Sequence, residues 1–260
     1  MVDYIEMITP LDILAIAAHR DDVEQTCGGT LLKASQRGQH TGILDLTKGE
    51  MGTRGTAEDR EREADDAAKI LGATWRKALD IPDGRVENTW ENRLKVASVI
   101  RETRPRVVIL PYWKGRHPDH YTASILGYEA CFLAGLAKLD PQRTLGSLPS
   151  AMRDQASDLA PHRPFKIVYA TLYYDIRPTF VVDISDQFEG KFASILAYKS
   201  QFSDQEAGKD LFPAHHEIWA RVDSMARFYG ALGGVRHGEP FLQKEVGLVD
   251  DLLAIPVKSI

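Results

Sequence analysis

The sequence predicts an α/β fold: a Rossmann-like, doubly wound sheet that is mostly parallel and carries helices on both faces. Apolar, strand-like runs at 11–18, 41–47 and 106–113 are separated by segments with helical periodicity. Strands joined in this way form right-handed crossovers and a parallel sheet. Because 260 residues with 43% hydrophobic composition can bury one substantial core, we expect a single domain over residues 1–260. A Pro-, Ser- and Asp-rich surface excursion is expected at about 140–164.

The helices and the remaining strands follow from residue spacing and from breaker residues. A segment at 24–37 is amphipathic and ends before Gly38. The segment at 57–72 places four apolar residues at helical spacing and closes with Gly72. The other elements expected, in chain order, are a strand at 74–81, a helix at 87–104, strands at 165–174 and 178–185, and helices at 186–202 and 217–234.

Composition excludes several classes of protein. A net charge of −5 argues against a nucleic-acid-binding surface, which needs a concentrated basic face. Two cysteines, Cys27 and Cys131, provide neither a disulfide framework nor a thiolate metal set, and this pattern is typical of a reducing cytoplasm. The first residues lack the basic start of a secretory signal, and no run approaches the roughly 20 apolar residues of a membrane span. We therefore expect a cytoplasmic protein without a nucleic-acid or membrane partner.

Two dense polar clusters follow the first and fourth strands. "HRDD" at 19–22 comes after strand one, and "RHPDH" at 116–120 comes after strand four. In a doubly wound sheet these two strand ends flank the point where strand order reverses, which is where ligands bind. Together the clusters supply three imidazoles and three carboxylates: His19, Asp21, Asp22, His117, Asp119 and His120.

These residue types predict a metal site with a general base beside it. Two imidazoles and one carboxylate with an open position form a catalytic zinc environment, and other divalent first-row metals accept the same ligands. Adjacent aspartates cannot easily both point at one ion, so one ligates and the other takes a proton from water. As alternatives, Asp21 or Asp22 caps the following helix, and His117 is an ordinary loop residue.

The same residues carry a family resemblance. His-x-Asp-Asp after the first strand, the Gly28-Gly29 pair and His-Pro-Asp-His at 117–120 resemble the LmbE-like (PIG-L) N-acetylglucosamine deacetylase family. Segments such as "LTKGEMGTRGTAEDRERE" and "IPDGRVENTWENR" are similar to its bacillithiol-biosynthesis branch, and the resemblance runs over about residues 12–250. It implies hydrolysis of N-acetylglucosaminyl malate to the free amine and acetate. Deacetylation of another N-acetylglucosaminide, an inositol glycoside or a chitooligosaccharide-like substrate, is the alternative.

The resemblance also implies residue roles. One divalent ion per chain, zinc by default with iron as the alternative, would be held by His19, Asp22 and His120. Asp21 would be the general base, and His117 would protonate or polarise the reacting centre with its ring oriented by Asp119. Arg60 and Arg163 would contact the substrate, since guanidinium groups recognise carboxylates such as those of malate. A homo-oligomer, a hexamer in many relatives, is implied as well.

The sequence departs from the family pattern at two places. Position 20 is usually proline or alanine and is Arg20 here. The late tyrosine that holds the oxyanion in relatives has no clear equivalent, because Ile218 falls nearest and His215 or His216 are the possible substitutes.

Three function classes compete. A metal-dependent amide hydrolase comes first. A metallo-phosphoesterase would need a bridging carboxylate and more ligands. A non-catalytic nucleotide-binding module would need a glycine-rich phosphate loop after the first strand, and the sequence has none there. The glycine-dense stretch at 49–55 follows the second strand, and we expect it to form a mobile loop on the substrate side.

Overall fold

A computed structural model describes residues 9–140, 159–172, 175–203 and 215–257. Its strands form one seven-stranded sheet in the order β3-β2-β1-β4-β5-β7-β6. The first five strands in this order pair in parallel, and β7 pairs antiparallel with both β5 and β6. The strands are β1 Ile13–Ala17, β2 Thr41–Asp45, β3 Trp75–Ala78, β4 Val107–Pro111, β5 Lys166–Ala170, β6 Phe180–Asp183 and β7 Gly238–Leu242.

Helices cover both faces of the sheet, which confirms the predicted doubly wound α/β class. They are α1 Asp22–Gln36, α2 Ala57–Leu71, α3 Trp90–Thr103, α4 Pro118–Ala134, α5 Phe188–Leu196, α6 Lys199–Phe202 and α7 His215–Gly233. A short 3₁₀ turn follows at Leu252–Ala254. Within the described ranges, none of these helices has the length and apolar content needed to cross a bilayer.

Alternation along β1 divides the core into two layers. Leu14 and Ile16 pack on the face covered by α3 and α4. Ala15 and Ala17 pack on the other face, against apolar residues of α1. Successive side chains of a strand point to opposite faces, so a continuous apolar run is the pattern of a strand that is buried on both sides.

The sequence prediction missed two elements and merged two others. Neither α4 nor β7 was expected, although α4 and its N-cap residue His117 carry three of the six polar residues predicted for the site. The helix expected at 186–202 is instead two helices, because the chain breaks at Tyr198, where ψ is 69°. The Tyr198 side chain is fully buried, and its hydroxyl donates to Glu24 at 3.2 Å.

The expected surface excursion lies largely outside the described residues, which resume at Leu159. The described end is tied to the helices: the N–H of His162 donates to Ala134 at 3.0 Å, and the His162 ring lies 2.7 Å from the carbonyl of Pro105. The guanidinium of Arg101 donates to Leu159 at 3.3 Å. The single-domain organisation stays a prediction.

Helix α1 is interrupted near its middle, and a buried carboxylate from β7 completes it. At Cys27 φ is −142° and ψ is 17°, which leaves the following N–H groups without helical acceptors. Glu239 accepts from the N–H groups of Gly29 at 2.9 Å and Thr30 at 2.7 Å. Lys191 of α5 donates to the same carboxylate at 2.6 Å and balances its charge. This network joins the antiparallel edge of the sheet to the helix that begins at the site.

We expect Glu239→Ala to lower the free energy of unfolding by about 3–5 kcal/mol, because it leaves the buried Lys191 ammonium without its carboxylate partner and with only the carbonyl of Gln25 as acceptor. Urea denaturation measures the loss. Asp66→Ala is the control: it breaks the exposed Lys69–Asp66 pair and should change stability by less than about 0.5 kcal/mol. Equal effects of the two substitutions would contradict this account.

Candidate active site

The candidate site lies where β1 and β4 end side by side. Strand β2 lies on one side of β1 and β4 on the other, so this is the switch point of the sheet. The loop at 19–22 continues β1, and the segment at 112–117 leads from β4 into α4. A cleft of about 440 Å³ opens here, and its lining includes Asp22, Tyr112, Lys114 and His120.

The three predicted metal ligands converge on one point. Nδ1 of His19 lies 3.2 Å from Nε2 of His120. Asp22 offers one carboxylate oxygen to each ring, at 3.5 Å from His19 Nδ1 and 3.2 Å from His120 Nε2. Ligands at about 2.1 Å from a tetrahedral ion lie about 3.4 Å from one another. These donor atoms are therefore spaced as one divalent ion requires.

The other nitrogen of His19 faces two buried carboxylates. Nε2 lies 3.1 Å from Asp83 and 3.3 Å from Asp119. Asp119 is held by the N–H groups of Gly84 at 2.8 Å and Val86 at 3.2 Å. A carboxylate on one ring nitrogen keeps the proton there and leaves the other nitrogen free as a ligand. The carboxylates therefore direct Nδ1 toward Asp22 and His120.

Sequence reasoning missed Asp83. It lies in the loop after β3, and its second oxygen accepts from the N–H of Met51 at 3.0 Å. The available signal was its position, because the loop after β3 lies at the same edge of the sheet as the loops after β1 and β4. This position indicates the edge of the sheet at which Asp83 lies, but it does not indicate which residues Asp83 contacts.

The charge around His19 suits a cation. Burial lowers the pKa of His19, but hydrogen bonds to three carboxylates outweigh burial and raise that pKa to about 12. For His120, burial likewise lowers the pKa, but the charge and hydrogen bond of Asp22 outweigh burial, so the net shift of the pKa is upward. Both upward shifts arise from the carboxylates around the two rings, and these carboxylates attract positive charge. The donor set and its charge therefore fit a divalent metal ion.

Two other groupings within the described residues meet a looser test for metal binding. His19 with His117 and His120, and His19 with Asp83 and Asp119, each have ligand atoms within 4.8 Å of one another. In the second grouping the carboxylates of Asp83 and Asp119 already accept hydrogen bonds from backbone N–H groups. These bonds fix the carboxylates where they can orient the His19 ring. We therefore favour His19, Asp22 and His120 as the ligand set.

Asp21 occupies the N-cap position of α1 but does not cap it. Its side chain makes no capping hydrogen bond, which removes the alternative that Asp21 serves as a helix cap. Its φ of 107° is a left-handed conformation that residues with a side chain rarely adopt. Burial raises the pKa of Asp21 to about 7, against the opposing charge of Arg60. Strain and burial at a polar residue are typical of functional positions.

Arg60 contacts this aspartate. Its guanidinium donates to Asp21 Oδ1 at 3.1 Å and to the carbonyl of Arg20. Arg60 is only 5% exposed. Its predicted contact with the substrate stays a prediction, and the contact in the structure is with Asp21.

The predicted pairing of His117 with Asp119 is wrong in its geometry. His117 caps α4: its Nδ1 accepts from the N–H of Asp119 at 3.2 Å, so the backbone of Asp119 orients the ring. The carboxylate of Asp119 faces His19 instead. Since Nδ1 accepts, the neutral ring carries its proton on Nε2. His117 is exposed at the site and keeps that proton available.

Arg163 lies away from the site. It precedes β5, whose first residue Lys166 pairs with Val107 at the start of β4. The site lies beyond the other end of β4, so Arg163 is at the opposite edge of the sheet. There it stacks on Phe132 with 5.0 Å between the guanidinium carbon and the ring centroid. The expected substrate contact by Arg163 is therefore wrong for the site of the same chain.

The late segment does not supply the oxyanion-holding residue among the side chains described. Ile218 is buried in an apolar cluster with Phe188 and Val222 and has no polar group to offer. The side chains of His215 and His216 lie outside the described residues.

Fold and site together define an α/β protein with a candidate metal centre at the switch point of its sheet. The family model described as PIG-L, GlcNAc-PI de-N-acetylase, matches residues 14–131. The chain is 33% identical over 239 residues to diacetylchitobiose deacetylase of Thermococcus kodakarensis, covering 87% of this chain and 80% of that protein. It belongs to the PIG-L deacetylase family.

Two further similarities agree with this assignment. The chain is 28% identical to the 1D-myo-inositol 2-acetamido-2-deoxy-alpha-D-glucopyranoside deacetylase of Segniliparus rotundus, covering 73% of this chain and 77% of that protein. A solved structure of a conserved protein from Thermus thermophilus superimposes with a TM-score of 0.77 at 38% identity, covering 92% of this chain and 98% of that one.

We expect protein purified without added metal to hold close to one zinc or iron ion per chain by elemental analysis. His120→Ala should lose most of it, because it removes one of the three converging donors. His117→Ala is the matched control from the same turn of α4 and should keep its metal. Full retention by His120→Ala, or loss by His117→Ala, would favour a different ligand set.

Proposed function

We propose that this chain is a metal-dependent N-deacetylase that hydrolyses the acetamide of N-acetylglucosaminyl malate to the free amine and acetate. The observation that carries the proposal is the convergence of His19, Asp22 and His120 beside Asp21, which is partly buried and has a left-handed backbone conformation. The relatives support the reaction type, since two of them are named as deacetylases of N-acetylated amino sugars.

When bound, a divalent ion at this triad supplies Lewis acidity, which polarises the acetamide carbonyl and makes water a better nucleophile at neutral pH. Asp21 takes the proton of the attacking water as general base. Its neighbour Asp22 accepts from the N–H of His19 at 3.0 Å and is fixed toward the two imidazoles. The adjacent carboxylates therefore have separate tasks.

His117 is the proton donor in this proposal. Its Nδ1 is occupied by the N–H of Asp119, so the proton that it can give is on Nε2 at the exposed side of the ring. Expulsion of an amine from a tetrahedral intermediate requires a proton on nitrogen, and a positioned imidazole supplies it.

Lys114 provides the charge that a malate aglycone needs. It lines the cleft together with Asp22 and His120 and is exposed. Within the described residues it has neither a hydrogen-bond nor an ion-pair partner. The family resemblance implies that Arg60 and Arg163 bind the substrate carboxylates. In the structure Arg60 pairs with Asp21, and Arg163 lies at the far edge of the sheet. We therefore assign recognition of the anionic aglycone to Lys114.

An inositol glycoside or a chitooligosaccharide-like substrate is the alternative, and the names of the relatives favour it. Neither aglycone carries a carboxylate, so an unpaired cation in the cleft would have no counterpart in them. A metallo-phosphoesterase would release phosphate and no acetate, and product analysis separates it from every deacetylase.

We also propose that the protein is a homo-oligomer, and a hexamer is the expected form. Helix α4 exposes a row of large apolar side chains on one face at intervals of four, three and four residues: Tyr121, Ile125, Tyr128 and Phe132, each between 40% and 56% exposed. A second copy of this chain is the occupant that the family resemblance implies, since such a row is costly to leave in water.

Alanine substitutions of Asp21 and Asp22 should have different effects on metal content and turnover. Asp22→Ala should lower metal content, while Asp21→Ala should keep the metal and lose turnover by roughly 10²–10⁴-fold, because it removes a general base and no ligand. Elemental analysis and an amine-release assay on the same preparations measure both. Similar metal loss in the two variants would contradict the division of tasks.

Substrate choice should depend on Lys114. We expect N-acetylglucosaminyl malate to be cleaved far better than N,N′-diacetylchitobiose or the inositol glycoside. Lys114→Ala should lower kcat/KM for the malate glycoside by roughly 10- to 100-fold and leave the two neutral substrates unchanged, since a charge-assisted hydrogen bond contributes about 1.5–3 kcal/mol. Free amine and acetate are quantified for each substrate.

Lys166→Ala is the matched control, because Lys166 is an exposed lysine at the opposite edge of the sheet. It should change none of the three rates. Equal wild-type rates on the malate and neutral glycosides would reject the malate assignment and leave the deacetylase chemistry in place.

A further inference from the structure

Arg20 is a buried arginine at the tip of the first loop, directly before the strained aspartate. It is 5% exposed, although no buried carboxylate pairs with it among the described residues. Its Nη1 donates to the carbonyl of Ala57 at 2.8 Å, the first residue of α2. The nearest carboxylate is that of Glu61 at 3.7 Å, and the Glu61 side chain is 65% exposed. The main contact of Arg20 is therefore with the backbone of α2.

The contact is reciprocal. From the next turn of α2, Arg60 donates back to the carbonyl of Arg20 and to Asp21 Oδ1. Each arginine thus holds the backbone of the segment that carries the other. We call this pair the arginine clasp.

The α2 side of the clasp is fixed. A capping box starts the helix: the N–H of Asp59 donates to Thr56 Oγ1 at 3.1 Å, and the N–H of Thr56 donates to Asp59 Oδ2 at 2.9 Å. The carbonyl of Ala57 lies one residue further on and belongs to this defined turn. A bond to it therefore fixes the position of the first loop.

On the loop side, the clasp surrounds the peptide that enters Asp21. With φ at 107°, Asp21 departs from the backbone regions that residues with a side chain prefer. Such a conformation persists only where neighbouring contacts hold it. The bonds of Arg60 to the Arg20 carbonyl and of Arg20 to Ala57 hold residue 20 from both sides.

We propose that Arg20 is a positioning residue: through the clasp it keeps Asp21 in the left-handed conformation that places its carboxylate beside Arg60 and the metal ligands. The catalytic part of this inference rests on the proposed function, in which Asp21 is the general base. The conformational part does not.

Arg20→Ala, Arg20→Lys and the control Glu61→Ala test the clasp. Arg20→Ala should lower kcat by roughly 10- to 100-fold with KM and metal content unchanged, because it removes a charged donor that orients the base and touches neither ligand nor substrate. Lysine retains one donor and should recover part of kcat. Glu61→Ala removes only the exposed ion pair and should match the wild type.

A crystal structure of Arg20→Ala provides a readout that does not depend on activity. We expect Asp21 to leave the positive-φ region and its contact with Arg60. Asp21 retained in its present conformation, kcat within about twofold of wild type, a change mainly in KM, or a parallel loss of metal would each overturn the proposal. If the wild type releases amine from none of the glycosides, the proposed function fails, and the crystal structure still decides whether Arg20 holds Asp21.

Discussion

The rest of the site depends on how the two ring nitrogens of His19 are used. Nε2 faces Asp83 and Asp119, and Nδ1 faces Asp22 and His120. A neutral imidazole has one donor and one acceptor, so fixing the donor on the carboxylate side fixes the acceptor on the other. The four partners come from the starts of α1 and α4 and from the loop after β3. One imidazole therefore couples three segments that leave the same edge of the sheet.

The concentration of carboxylates explains why the site needs its own cations. Asp21, Asp22, Asp83 and Asp119 lie within one small region, and an anionic substrate would be repelled there without compensation. Arg60 provides positive charge beside Asp21, and an ion bound at the proposed triad would add to it. These cations are committed to the site itself. Among the cleft-lining side chains described, Lys114 has neither a hydrogen-bond nor an ion-pair partner, and for this reason we propose it as the group that meets a substrate carboxylate.

Much of the fold could be predicted because the spacing of apolar residues indicates buried strands and helices, and glycine or proline marks the helix ends. Helix α4 was not predicted because its large apolar residues lie on both its buried and its exposed face. Leu126 is buried, for example, and Phe132 is 56% exposed. Strand β7 was not predicted because it contains a proline and pairs only with segments that are distant in the sequence. The convergence of His19, Asp22 and His120 was predictable from their positions after β1 and β4. Asp83 and the direction of Arg163 were not, because both depend on how distant segments pack.

The glycine-dense stretch at 49–55, after β2, was predicted from its composition to form a mobile loop on the substrate side. In the structure it lies against Arg60 and Asp83, and its mobility stays a prediction. A Cβ on Gly49, where φ is 74°, would lie 3.2 Å from Nε of Arg60, and one on Gly52 would lie 3.5 Å from Nη1 of the same residue. Between them the N–H of Met51 donates to Asp83. The glycines therefore allow one loop to cover Arg60, the partner of Asp21, while the same loop holds the carboxylate of Asp83 that faces His19.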